Sequence, residues 1–203
     1  MIKKPLARAI LALVLVLSTL SVAAADAQKN FEKAKEAYLK KDYRGAEKQL
    51  RALTKADPDF DFGHLYLGHS LFYQGKFDEA IPEYEKAMEL GMKAGDMKQE
   101  DVRLLTDQLG MSYGISGHLD KAKALFEQGI QKDAEYAMYY YNLACTNAEL
   151  GNLDDAVVNL KKGFERKQNM LPSETYPSPR TDDSFKRYLG NPKFEAALKE
   201  MGF

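Results

Sequence analysis

Three histidines, one cysteine and a knot of aspartates are the side chains whose types could carry chemistry here, and their spacing argues against each chemistry in turn. His64 and His69 stand five residues apart, which on a helix separates them by about 140 degrees, and His118 falls in a distant turn. They make no metal site. Asp57, Asp59 and Asp61 around Pro58 have the composition of a calcium loop, but the glycine and closing glutamate of such a loop are misplaced, so the stretch reads as a capping turn. Cys145 is the single thiol, and without a positioned base in the local sequence it reads as a small apolar residue packed in a helix. No strand is predicted, hence no glycine loop of the kind that follows a strand and cradles phosphate. The expectation is a protein that is not an enzyme and uses no metal or other cofactor.

Composition points the same way. A formal net charge of -1 with 29% charged residues offers neither a basic field for nucleic acid nor an acidic solvating tail. Residues 1–25 stand apart: Lys3, Lys4 and Arg8 precede the apolar run Ala9 to Leu17, and Ala23-Ala24-Ala25 closes it, which reads as a secretory signal peptide cleaved after Ala25. The alternative is an uncleaved membrane anchor, since Leu6 to Ala25 is about long enough to span a bilayer. The residue directly after the cleavage point is Asp26 and not a cysteine, which excludes a lipoprotein anchor. Cleavage would leave 26 basic against 30 acidic residues, a mature charge near -4. The expected location is the periplasm or beyond. One cysteine cannot staple an exported chain, so stability must come from packing of repeated elements.

Those elements are clearest in residues 61–90, DFGHLYLGHSLFYQGKFDEAIPEYEKAMEL. Leu67, Gly68 and Leu71 share one face of a first helix, Gly75 stops it, and Ala80, Tyr84 and Ala87 make the matching face of a second helix starting near Asp78. An alanine three residues after an aromatic or leucine recurs at Ala46, Ala80, Ala122 and Ala156, in steps of 34, 42 and 34 residues. Repeat 3 carries Leu109, Gly110, Tyr113, Gly117, Leu119, Ala122 and Phe126; repeat 4 carries Leu143, Ala144, Gly151, Leu153, Ala156 and Leu160. Repeat 1 has Ala34, Tyr43, Ala46 and Leu50, but Lys41 replaces the turn glycine.

This pattern resembles the tetratricopeptide repeat family, whose unit is a 34-residue helix-turn-helix. The resemblance implies an all-α fold, an α-solenoid of four helix-turn-helix repeats with a C-terminal capping helix, working by binding another protein. The expected layout is a repeat domain over 26–166, with repeats at about 27–60, 61–94, 103–136 and 137–166. A Pro-rich strap (167–180) and capping helices (181–203), similar to the end-of-group module of exported bacterial members, follow. The phase slip after repeat 2 lies in residues 91–101, where two glycines are expected to break the chain before one long helix from Asp96 to Ser116.

In this family the face of each first helix turned away from its partner lines a concave groove. By periodicity those positions are Gln28, Phe31, Glu32, Lys35, Tyr38 and Leu39 in repeat 1 and Phe62, Leu65, Tyr66, His69, Phe72 and Tyr73 in repeat 2. Repeat 3 supplies Leu104, Asp107, Gln108, Met111, Gly114 and Ile115, and repeat 4 Met138, Tyr141, Asn142, Cys145, Ala148 and Glu149. The first helix of repeat 2 is thus apolar on both faces. Either Phe31, Lys35, Tyr38, Phe62, Tyr66, His69, Phe72, Tyr73, Gln108, Met111, Tyr141 and Asn142 hold a peptide segment of a partner protein, or superhelical curvature buries the rings. The cations and asparagines that would clamp a carboxylate are mostly missing, which favours apolar and aromatic recognition. The functional expectation is a protein-protein adaptor of the cell envelope; alternatives are a membrane-tethered assembly subunit and a carrier of a small apolar ligand enclosed by repeats 1 and 2.

Overall fold

A computed structural model of the chain describes residues 26–95 and 97–203. The proposed leader and Asp96 lie outside them. Among the described residues nine α-helices run in series: α1 (26–39), α2 (Tyr43–Ala56), α3 (Asp61–Phe72), α4 (Phe77–Ala94), α5 (Gln99–Ile115), α6 (Leu119–Lys132), α7 (Ala137–Glu149), α8 (Leu153–Glu165) and α9 (Pro192–Met201). From α2 onward consecutive helices pack on each other, and α3 also meets α5 and α5 meets α7, as stacked hairpins require.

Each hairpin is held by a small residue opposite a large one. Gly68 faces Tyr84, whose ring carbons lie 2.6 Å from where a glycine Cβ would stand, and Gly110 faces Phe126 in the same way at 2.2 Å. The equivalent positions in repeats 1 and 4 are Ala34 with Leu50 and Ala144 with Leu160, all fully buried. Where the second helix carries a ring the first gives up its methyl; where it carries a leucine an alanine is kept. Total volume across the pair is thereby held near constant, as close packing demands.

All four turns close with the same bond, from Asp42 N to Ala37 O, Lys76 N to Leu71 O, His118 N to Tyr113 O and Asn152 N to Asn147 O, at 2.8–3.0 Å. This six-to-one bond needs a left-handed residue just before the donor. Gly75, Gly117 and Gly151 supply it, and in repeat 1 Lys41 does so with φ of 62°. A lysine there costs about 1 kcal/mol relative to glycine. Lys41→Gly should therefore raise stability by about 1 kcal/mol. Chemical denaturation would show a higher midpoint at unchanged slope; an unchanged or lower midpoint would refute the assignment.

The junction between repeats 2 and 3 differs from the sequence expectation. Gly91 does not break α4, which runs on to Ala94; it lies buried in the helix with Met97 Cε 2.0 Å from the place a Cβ would take. Only Gly95, left-handed with φ of 73°, ends the helix. The long helix of repeat 3 begins at Gln99 rather than Asp96. The inserted residues thus lengthen both neighbouring helices.

The strap opens with a 3-10 turn, Lys167–Asn169, and its Leu171 is buried in the main apolar core. A 3-10 helix, Asp183–Tyr188, then lies against α7, and α9 lies against α8. Asn191 caps α9 by accepting from Lys193 N and Phe194 N, and Gly202 ends it. Phe185, Phe194, Ala197 and Leu198 are buried with Tyr141, Ala144 and Leu160, so this segment covers the apolar side of repeat 4 that a further repeat would otherwise cover.

Candidate functional site

The wall is built by the first helices of the repeats. In α3 the leucines Leu65, Leu67 and Leu71 are buried, which leaves the aromatic side chains to spread over the remaining surface. They form one continuous sheet of ring contacts. Phe31 meets Tyr66 edge-on at 5.3 Å, Tyr66 meets Tyr38 at 5.3 Å, and Tyr38 reaches His69 at 5.9 Å and Tyr73 at 6.1 Å. Tyr73 stacks on Tyr43 at 5.0 Å, and Phe72 joins Tyr73 at 5.6 Å. Such pairs hold each other's orientation, so the surface is rigid before anything binds.

Beneath the rings runs a polar chain that ties repeat 2 to repeat 3. His69 Nδ1–H donates to the Tyr84 hydroxyl at 3.0 Å, and that hydroxyl donates to Gln108 Oε1 at 2.8 Å. Burial pulls the His69 imidazole down to about 4, so it is neutral at physiological pH and serves as a donor. Burial likewise raises the Tyr38 phenol, with Tyr73, Tyr43 and Tyr66 adding to the effect. Gln108 and His69 therefore orient the wall from behind.

Exposure divides the predicted residues into two groups. Six large apolar side chains on the wall positions of repeats 1–3 remain open: Leu39 (67%), Phe62 (45%), Tyr73 (50%), Leu104 (39%), Met111 (41%) and Ile115 (56%). Leu39, Tyr73 and Ile115 occupy the same position in successive repeats, and so do Phe62 and Leu104, so five of the six exposed groups fall in two rows, with Met111 outside them. Helices pack about 8–10 Å apart, which sets the pitch of each row. Lys35, Tyr38, Tyr66 and Phe72 are half-buried along the same surface.

Phe31, Tyr141 and Asn142 do not line the open wall. Phe31 is buried under Phe60 and Tyr66. Tyr141 is buried under the chain's own C-terminal segment: its hydroxyl donates to Asp182 at 2.8 Å and its ring meets Tyr176 and Phe185 edge-on. Asn142 is buried and donates to Asp107 at 2.9 Å. Self-coverage thus claims repeat 4, while repeats 1–3 stay open. Periodicity placed Leu39, Leu104 and Ile115 on the wall, but their recurrence at two repeat positions, Leu39 and Ile115 with Tyr73 and Leu104 with Phe62, marks them more clearly than aromatic character does. Tyr43 comes from a second helix, where helix-face counting does not look.

No cluster of three or more His, Cys, Asp or Glu side chains able to hold a metal exists among the described residues. His64 is engaged by Glu83 at 2.6 Å and by the Pro58 carbonyl at 3.0 Å. Burial and the Asp182 carboxylate, 3.7 Å away, push the Cys145 thiol up, the direction opposite to that of a nucleophile. None of the described helices is long and apolar enough to cross a membrane.

Comparison with known proteins bears on this arrangement. Two descriptions of the tetratricopeptide repeat match the sequence, over residues 62–133 and 108–159. Among solved structures, a MamA protein is similar with TM-score 0.65 at 21% identity, over 85% of this chain and 86% of that one. MamA from Desulfovibrio magneticus RS-1 gives 0.61 at 17% identity, over 70% and 76%. YrrB, described as a TPR protein with an unusual peptide-binding site, gives 0.63 at 21% identity, over 81% and 83%. At these identities the likeness is one of fold. No curated protein matches the sequence.

Proposed function

This chain belongs to the tetratricopeptide-repeat family, and on that premise we propose that it is a non-enzymatic adaptor holding a peptide segment of another protein on its concave wall. The observation that carries this reading is the pair of exposed apolar rows, Leu39, Tyr73 and Ile115 beside Phe62 and Leu104, on a wall whose first helices are already rigidly packed. Contiguous exposed apolar side chains of this kind are what a protein-protein interface buries. Lys35 is the one cation among the wall positions of repeats 1–3, so the segment is recognised through apolar and aromatic side chains rather than through an acidic terminus. YrrB, described as having an unusual peptide-binding site, supports the class of ligand. The leader read in residues 1–25 would send the chain across the inner membrane, making the partner an envelope protein; mass spectrometry finding residues 1–25 intact in the mature protein would instead favour the membrane-tethered alternative.

The test is site-specific photocrosslinking in cells. A photoreactive side chain at Tyr73, on the wall, should yield one defined adduct, and the same group at Val158, an exposed apolar residue of α8 outside the wall, should not. Equal crosslinking from both positions would overturn the reading.

One observation favours a second reading. The lengthened helices around the insertion leave an open cleft of about 440 Å³, mostly apolar along Met88, Met97, Val102, Leu105 and Leu125 and bordered by Arg103, Lys132 and Asp133. It lies between repeats 2 and 3, not in repeats 1 and 2 where a small-ligand carrier was expected. Its size and lining suit a small apolar molecule. Native mass spectrometry of freshly purified protein should show an added mass removed by Met97→Trp; an apo mass throughout would exclude the carrier reading.

A further inference from the structure

The strap meets the solenoid at a hydroxyl that has too few protons for its neighbours. The Tyr136 oxygen lies 2.7 Å from Asp107 Oδ2 on α5 and 2.7 Å from Glu174 Oε1 on the strap. A phenol carries one proton to donate. If both carboxyl groups were ionised, one of these contacts would be an oxygen lone pair against a carboxylate with nothing between them. The arrangement is satisfied when one carboxyl group is protonated and donates to the Tyr136 oxygen, while Tyr136 donates to the other.

The surroundings choose which. Glu174 is half-exposed, and its second oxygen is already engaged, accepting from Leu171 N at 3.0 Å. Asp107 is buried, and its Oδ1 accepts from Asn142 Nδ2 at 2.9 Å, which leaves Oδ2 as the natural place for a proton. The other charged or titratable groups around it are accounted for. From α5, Arg103 is committed to Asp133 at 2.7 Å and lies over the Tyr136 ring at 4.6 Å; from α7, Tyr139 is buried beside them. Burial pushes the Asp107 carboxyl up to about 7, the nearby Glu174 charge adding to the rise and the Tyr136, Asn142 and Arg103 contacts opposing it.

We propose that residues 170–176 form a proton-gated strap, in which Asp107 and Glu174 hold one proton through Tyr136 and its loss sets two carboxylates against each other and loosens the strap. The sign follows from linkage. The closed state binds the proton more tightly than the open one, so closure is strongest at acid pH, weakens as pH rises toward about 7 and changes little above it. Each unit by which the Asp107 value differs between the two states is a factor of ten in the opening equilibrium. Leu171 and Tyr176, the latter donating to the Leu160 carbonyl at 2.7 Å, remain as anchors, so opening is local.

Hydrogen exchange of the intact chain tests this. After correction for intrinsic rates, the hydrogen-bonded amides of Leu171 and Glu174 should exchange about tenfold faster at pH 8 than at pH 5.5, with amides of α9 unchanged. Asp107→Asn keeps the shape and supplies a permanent N–H, so the strap should be protected at both pH values. Glu174→Gln, on a surface segment, should also flatten the response if Asp107→Asn fails to fold. Equal protection of the wild type at both pH values, or a wild-type pH difference persisting in either variant, would overturn the proposal.

Discussion

Replacing Phe62 and Tyr73 together by alanine should remove partner binding while leaving the fold in place. Both rings are about half exposed, at 45% and 50%, so truncating them takes little from the core. The main structural loss is the stacking of Tyr73 on Tyr43 at 5.0 Å, worth about 1 kcal/mol. Aromatic anchors buried by a partner typically lose about 2 kcal/mol or more each on truncation, so the double variant should lose about 4 kcal/mol of affinity, near a thousandfold. Calorimetric titration with the crosslinked partner segment gives the affinity, and thermal melting checks the fold. A variant that melts as wild type does and binds within threefold of it would end the groove hypothesis. Val158→Ala, away from the wall, should change neither quantity.

Gly110→Ala carries the largest expected loss of stability for the smallest change in the sequence. A Cβ at this position would lie 2.2 Å from Phe126 Cζ and 2.5 Å from Cε1, far inside contact distance, and Phe126 is buried to 1% exposure. The ring cannot swing aside without displacing its neighbours, so α5 and α6 must part. Overpacking of this kind costs about 1–3 kcal/mol, and the upper end applies where a rigid ring blocks the way. For a domain of this size that is a fall of about 6–12 °C in melting temperature. The companion change Phe126→Leu should lower stability alone but recover part of the loss when combined with Gly110→Ala, because it restores the alanine–leucine pairing already present in repeats 1 and 4. Additive losses in the double-mutant cycle would show that the two positions do not share one volume.

These two predictions draw on information of different kinds. The glycine–aromatic pairing could be read from spacing, because a helix hairpin brings position 8 of each repeat against position 24, and the 34-residue period repeats that meeting in every copy. The wall was legible in part. Periodicity alone put Phe62, Tyr73, Leu104, Met111 and Ile115 on one face, since side-chain direction along a helix is fixed by 100 degrees per residue.

What the amino-acid order determined by itself was local: four hairpins, their turns, the residues small enough to let paired helices close, and the face left over. Lys41 shows how firmly, since it holds the left-handed turn despite its side chain. What only the tertiary structure decided was coverage. Whether Tyr141 lies open or shut depends on Asp182, Phe185 and Tyr176, about 40 residues along the chain, and no helical period links them. The same holds for the proton shared near Tyr136, where Asp107 and Glu174 stand 67 positions apart in the sequence. Burial and proton sharing are properties of what the folded chain brings alongside a residue, and spacing along a single helix carries no record of that.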